Sequence, residues 1–271
     1  MPTFNIEACA ALMDELTAIT TRAARAITDR GGKAGVRCKA DGSPVTAADE
    51  AAEAVICEGL TRLAPAVPVI SEEQAACNRR PAIMPPSGGD SCYFLVDPLD
   101  GTREFIAGRD EYTINIALLS NGIPILGIIM APALGTAWRG IVGRGAERIA
   151  FAAGKSSLPT VIRTRSPPEH DLVVLVSRSH LEERTRAYLD RYPEAKVVQC
   201  GSSLKFCRIA EGAADLYPRL APTHDWDIAA GHAILRAAGG KMVTPDGSPL
   251  VYGGPELLIP AFLASGAPLI G

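Results

Sequence analysis

Apolar residues recur at helical spacing through Leu12, Leu16, Ile19, Ala23 and Ile27, and the Gly31-Gly32 pair ends the run, which predicts a first amphipathic helix. The stretch "KADGSPVTAADE" reads as a loop punctuated by Asp-Gly and Ser-Pro. Its end, Thr46-Ala47-Ala48-Asp49, has capping-box spacing and opens a second helix through Val55, Ile56, Leu60 and Leu63. "VPVIS" and Tyr93-Phe94-Leu95-Val96 are apolar runs of strand length, separated by Glu72-Glu73 and a Pro/Gly/Ser-rich loop over 75–91. "YTINIALL", "PILGIIMA" and "TAWRGIVG" predict three antiparallel strands, with Asn121-Gly122 as the turn between the first two.

From about residue 150 the rhythm changes. "LVVLVS", a charged helix over 180–191, "KVVQ", a helix from Ser203, "DLYPR", a helix from Asp225 and "GKMVT" alternate strand with helix. The pattern predicts an α/β or α+β chain of two lobes, 1–155 and 156–271, joined near 150–165. It contains no internal repeat.

Composition narrows the class. The chain has 271 residues, 47% hydrophobic and 21% charged, which excludes disordered and coiled-coil classes. A net charge of -3 without a long basic run argues against a nucleic-acid polymer as partner and leaves a small anion held by a few placed cations. Seven cysteines without a CxxC pair fit free thiols in a reducing compartment. No apolar run has the ~20 residues that span a bilayer. A cytoplasmic protein is expected.

The candidate chemistry centres on "DPLDGTREF". Asp97 and Asp100 follow an apolar strand, where α/β sheets carry ligands. Two acids abutting such a strand need a cation between them. Other acids at element boundaries have plain local readings. Asp49 closes a capping box, Glu72 is a loop acid, and Asp227 in "HDWDIAAGH" complements a helix dipole. Together they form an oxygen-only donor set of the kind Mg²⁺ takes, while His170, His180, His224 and His232 have no zinc-like arrangement. Gly101-Thr102 offers amides for a phosphate, and the Thr102 hydroxyl can hold a water together with Asp49.

"SEE" after a strand, "DPLDGTREF", "GSSLKF" and "DWDIAAGHAIL" resemble, in order and over nearly the whole chain, the inositol monophosphatase superfamily of lithium-sensitive, magnesium-dependent phosphatases. Within it the chain looks closest to the bacterial 3'(2'),5'-bisphosphate nucleotidases, which clear adenosine 3',5'-bisphosphate left by sulfate assimilation. The resemblance implies a layered α-β-α-β-α sugar-phosphatase fold and two or three Mg²⁺ ions per site. It implies Glu72, Asp97, Asp100, Asp227 and the Leu99 carbonyl as metal ligands, and Asp49, Thr102 and Glu72 as catalytic residues. The amides of Gly101 and Thr102 would receive the phosphate. Ser202, Ser203, Lys205, Arg219, Asp227 and, in reserve, Lys39 would meet the substrate. The expected partner is a small phosphorylated nucleotide or sugar, and the enzyme a monomer or homodimer, free or peripherally held at the inner membrane. The alternatives are an inositol or sugar monophosphatase of the same fold, which shares every catalytic residue, and a non-enzymatic phosphometabolite binder. Lys205 is equally readable as a solvated helix lysine, Asp225 as a helix cap, and Trp226 as core.

Overall fold

A computed structural model describes residues 4–30, 35–39, 42–76, 91–152, 155–168, 170–179 and 181–266. Gly31-Gly32, Cys77, His180 and the Arg79-Arg80 pair of the long loop lie outside the described residues. Helix α1 (Ile6–Thr28) starts at Asn5, whose side chain accepts from the Ala8 amide, and it buries Met13, Leu16, Ile19, Ala23 and Ile27 on one face. The segment read as a plain loop, 39–50, contains β2 (Pro44–Val45), which pairs antiparallel with β1 (Arg37–Cys38) just before it. Helix α2 (Ala47–Leu63) carries the expected capping box, with Thr46 and Asp49 serving each other's backbone.

Then come β3 (Val69–Ser71), α3 (Glu72–Ala76), β4 (Cys92–Asp100), α4 (Thr102–Ile106), β5 (Thr113–Ser120), β6 (Ile123–Ala131), β7 (Thr136–Ile141), β8 (Gly145–Ala152), β9 (Lys155–Ser156) and β10 (Thr160–Ile162). They form one sheet in the order β10-β8-β7-β6-β5-β4-β3, with β9 on β8. Only β3 and β4 run parallel within it. The three predicted antiparallel strands are present. Strands β8 and β10 extend them, so this sheet ends at Ile162, inside the joining segment.

Period-two alternation gives the sheet two apolar faces. Phe94, Val96, Ile114, Ile116, Ile128 and Met130 point to α1 and α2. Tyr93, Leu95, Leu119, Ile129 and Trp138 point the other way, into a core shared with the second half. That half contains β11 (Val173–Ser177), α5 (Glu183–Leu189), β12 (Lys196–Cys200), α6 (Leu204–Ala210), β13 (Leu216–Arg219), β14 (Thr223–His224), α7 (Asp225–Ala237), β15 (Lys241–Val243), β16 (Leu258–Ile259) and β17 (Phe262–Ser265). Its sheet runs β12-β11-β13-β17-β15, with β11 parallel to both β12 and β13. Leu175, Tyr217, Phe262 and Ala264 face the shared core, while Val174, Val176 and Leu216 are buried outside it, on the side where α5 packs against β13. The layers are therefore α1/α2, sheet, α6/α7, sheet and α5, the α-β-α-β-α order expected.

Glycines seat the middle helix. Gly127 on β6 and Gly140 on β7 are register partners. A Cβ on Gly127 would lie 2.3 Å from the Ala230 carbonyl oxygen, and one on Gly140 would lie 2.9 Å from Ile234 Cα and Ala237 Cβ. On the opposite flank a Cβ on Gly231 would lie 2.3 Å from the Phe206 ring. α7 thus rests directly on the strand backbone and lets α6 close over it. This height determines where its first turn, with Asp227, meets the end of β4.

Candidate active site

Strand β4 should place Asp97 and Asp100 on opposite faces, since they are three residues apart. The register breaks between them: Asp97 pairs with Asn115 but Asp100 pairs with Thr113. Three steps on β4 against two on β5 form a bulge that turns both acids to one side. Gly101 then ends the strand with φ 90 and leads directly into α4. The other acids arrive from separate elements. Glu72 opens α3 beyond β3, the parallel neighbour of β4, and Asp227 sits in the first turn of α7.

Asp49 fulfils both of its readings, one oxygen each. Oδ2 accepts from the Thr46 amide at 2.8 Å and the Thr46 hydroxyl at 2.5 Å, while Oδ1 lies 3.0 Å from Thr102 Oγ1. The Thr102 hydroxyl is also 3.1 Å from the Leu99 carbonyl, so its single proton has two acceptors to choose between. Asp97 is buried and accepts from the Leu99 amide at 3.0 Å. Asp227 caps α7 as well, accepting from the Thr223 hydroxyl and from the His224 amide at 3.1 Å. Asp225, expected to cap, instead accepts from Gly253 N at 2.7 Å. Trp226 is core, stacked on His224 at 4.5 Å.

Burial and crowding raise the carboxyls of this cluster. Glu72 is pushed up to about 7, first by burial and then by Asp227. Asp100 is pushed up to about 6 by burial and Asp227. Asp97 rises well above the usual range through burial, Glu72 and Asp100. Such a group asks for positive charge. Lys39 meets part of the need, its ammonium 2.7 Å from Glu72 and 2.6 Å from Glu73. Glu73 is thereby a buried partner in the cluster, and Lys39 is committed to acids here instead of standing free for a second phosphate.

Among the described residues no three carboxylate, imidazole or thiol groups are grouped to hold an ion in this arrangement, with Glu72 turned to Lys39 and Asp227 to Thr223 and His224. The donor chemistry nevertheless fits Mg²⁺. The acids supply hard oxygens, and a lysine already stands in for a cation among them.

One cleft brings together Glu72, Asp100, Gly101, Thr102, Asp227, Ser202, Ser203 and Lys205, with Arg219 on its wall. Ser203 is its hub. Its hydroxyl lies 2.9 Å from Asp100 Oδ2 and 2.7 Å from the Asp227 carbonyl, and accepts from Asn115 Nδ2 at 2.8 Å. Ser202, at φ 47, pairs with the Thr113 hydroxyl at 3.0 Å. Lys205 is not a solvated lysine. It is 3% exposed, donates to the carbonyls of Cys200 at 3.1 Å and Ser202 at 2.6 Å, and lies 4.9 Å from the centre of the Tyr217 ring. Arg219 donates from Nη2 to the Pro222 carbonyl at 3.2 Å, while its buried Nε has no protein partner. Ser177, Ser179 and Glu104 also line the cleft and were not singled out from sequence. The usable signal was position: Ser177 ends a parallel strand, where ligand sites gather.

The inositol monophosphatase family profile matches residues 3–267. The 3'(2'),5'-bisphosphate nucleotidases CysQ of Shigella flexneri and Escherichia coli are 44% and 43% identical over 219 residues, 79% of this chain and 81% of each relative. The crystal structure of CysQ from Bacteroides thetaiotaomicron, a bacterial member of the inositol monophosphatase family, superposes with a TM-score of 0.78 at 32% identity, covering 97% of this chain and 99% of that one. Inositol monophosphatase from Anabaena, at 23% identity and a TM-score of 0.74, shares the fold. With its layered architecture, its bulged acidic strand and a profile match along nearly its whole length, the chain belongs to the inositol monophosphatase family.

Proposed function

We propose that this chain is a Mg²⁺-dependent 3'(2'),5'-bisphosphate nucleotidase that removes the 3'-phosphate of adenosine 3',5'-bisphosphate, giving AMP and phosphate. The observation that carries the chemistry is the Thr102 hydroxyl 3.0 Å from Asp49, beside a buried acid cluster that needs cations. The choice of substrate rests on the likeness to the CysQ nucleotidases over four-fifths of both chains.

Two or three Mg²⁺ ions held by Glu72, Asp97, Asp100, Asp227 and the Leu99 carbonyl would neutralise the acids, draw in the phosphate and make a bound water more acidic. The chain's own residues do the rest. Thr102 donates its proton to Asp49 Oδ1 and keeps lone pairs to accept from a water, so a proton leaving that water passes by way of Thr102 toward Asp49. The oxygen of the water forms the new bond to phosphorus as the bond to the ribose oxygen breaks, and that oxygen takes a proton from solvent in the open cleft to leave as the 3'-hydroxyl of AMP. The Gly101 and Thr102 amides, at the start of α4, receive the phosphate oxygens. Arg219 is the cation best suited to the second phosphate, because its buried Nε still lacks an acceptor. Lys205 serves by fixing the Ser202 turn.

An inositol or sugar monophosphatase would use the same acids, so substrate choice is the test. Phosphate release from adenosine 3',5'-bisphosphate and from inositol 1-phosphate is measured with Mg²⁺ titrated. A higher kcat/KM on the nucleotide is expected, and Arg219→Met should lower it more for the nucleotide than for the inositol ester. A wild-type preference for inositol 1-phosphate would overturn the assignment. A non-enzymatic role is disfavoured because each residue of the proposed machinery is present.

A further inference from the structure

The turn that carries Ser202 and Ser203 is held from outside the cleft. Glu111, between α4 and β5, takes both arms of Arg178, Nε at 2.8 Å and Nη2 at 2.9 Å. The same Oε2 accepts from the Gly201 amide at 3.0 Å, and Arg178 Nη2 also reaches the Gln199 carbonyl at 3.2 Å. Arg178 follows β11 and Gly201 follows β12, so a single carboxylate from the first half gathers two strand ends of the second.

Shape reinforces the charge. A Cβ on Gly201 would lie 2.8 Å from Glu111 Cβ and 2.9 Å from its carbonyl oxygen. A Cβ on Gly101 would lie 3.0 Å from that same oxygen and 3.2 Å from Ser202 Cβ. The Glu111 backbone is therefore wedged between the turn after the acidic strand and the turn at the substrate end of the cleft. Arg178 holds the Glu111 carboxyl below its ordinary range, so the pair stays charged at neutral pH.

We propose that Glu111 and Arg178 are a positioning pair that sets the Gly201–Ser203 turn against Gly101–Thr102 and thereby governs substrate affinity, without touching the reacting atoms. The proposal rests on the phosphatase reading above but not on which phosphomonoester is hydrolysed. Loosening the turn acts mainly on the part of the substrate that lies beyond the acid cluster, so KM moves far more than kcat, which is reached only through the Ser203 contact with Asp100.

The test is a double-mutant cycle of Glu111→Gln, Arg178→Gln and the pair, run on whichever phosphomonoester the wild-type enzyme turns over best. An error in substrate identity would then show in the wild type alone. Each single variant should raise KM about 10- to 100-fold, the scale of a lost charge-assisted contact, and leave kcat within about threefold. The double variant should be no worse than either single, because the two side chains act as one unit. Hydrogen exchange of the amides at 199–203 should quicken in both singles. Arg178→Lys, which keeps the charge but loses the fork, should fall between wild type and Arg178→Gln, and supplies the reading if a Gln variant folds poorly. Unchanged KM, additive effects, or a fall confined to kcat would overturn the proposal.

Discussion

Placing one methyl group under α7 tests how the fold sets the site. In Gly127→Ala the new Cβ would start 2.3 Å from the Ala230 carbonyl oxygen and 3.0 Å from its carbonyl carbon and Cα, where ordinary contact begins at 3.4 Å. These are backbone atoms, so no side chain can rotate away. The helix must lift by about 1 Å, or β6 must sink by as much. Overpacking of this kind costs about 1–3 kcal/mol. Alanine in place of a strand glycine returns about 0.5–1 kcal/mol. The net loss is about 0–2.5 kcal/mol, or at most about 5 °C in Tm at roughly 2 °C per kcal/mol for a chain of this size. The enzyme should therefore remain folded at 25 °C. Its activity should suffer far more, because Asp227, a proposed metal ligand, rides on the first turn of the displaced helix and a misplacement of about 1 Å in a site can cost about 10²-fold. Phosphate release at saturating substrate, alongside a thermal melt, separates the two effects. Ala230→Gly should give no rescue, because the clash is with a carbonyl that glycine also has. By contrast, Gly231→Ala clashes with the Phe206 side chain, and shortening Phe206 should relieve it. A Gly127→Ala enzyme with wild-type Tm and kcat within about twofold would refute the seating of α7 on these strands.

Three further expectations concern the acids. Thr102→Ala should lower kcat about 10²–10⁴-fold with Mg²⁺-induced stabilisation intact, and Thr102→Ser should recover most of it; a change in KM alone would reduce Thr102 to a phosphate contact. In the metal-free protein Glu72 and Glu73 are raised to about 7 and Asp100 to about 6, above ordinary values of 4.5 and 3.8. Below the ordinary values these groups are protonated in both states and contribute nothing; above them the unfolded chain loses its protons first and the fold is penalised. Tm in EDTA should thus fall as the pH rises from about 4 through 7, and saturating Mg²⁺ should flatten the slope; a Tm rising with pH in EDTA across that window contradicts the charge reading. Lys39→Gln removes the internal cation, so Tm in EDTA should drop at pH 7 while the Mg²⁺-induced gain in Tm grows, and an unchanged melt would show that Lys39 leaves the acids in solution.

What the sequence disclosed was local or positional. The Thr46–Asp49 capping box is a four-residue signal, and the apolar run into Asp97 marks a buried strand by itself. The bulge that turns Asp97 and Asp100 to one side depends on the register with β5, a partner more than ten residues away, and no spacing rule announces it. Lys205 reads as an ordinary helix lysine until Tyr217 and the Cys200 and Ser202 carbonyls surround it. Asp225 has cap composition, yet the Gly253 amide claims it from a distant segment. Gly127 and Gly140 look like strand weaknesses in sequence and act as seats only once α7 lies on them.

The helical layer between the two sheets has a consequence for how the protein is made. The inner face of the first sheet is built from residues up to Ile162, but the helix that covers it spans Asp225–Ala237. A chain leaving the ribosome at about 5–20 residues per second therefore carries an uncovered apolar sheet for on the order of 4–15 s. During that interval Tyr93, Leu119, Ile129 and Trp138 are available to any other apolar surface. The nascent first half is a natural client for a chaperone, and it becomes self-sufficient only when α7 emerges.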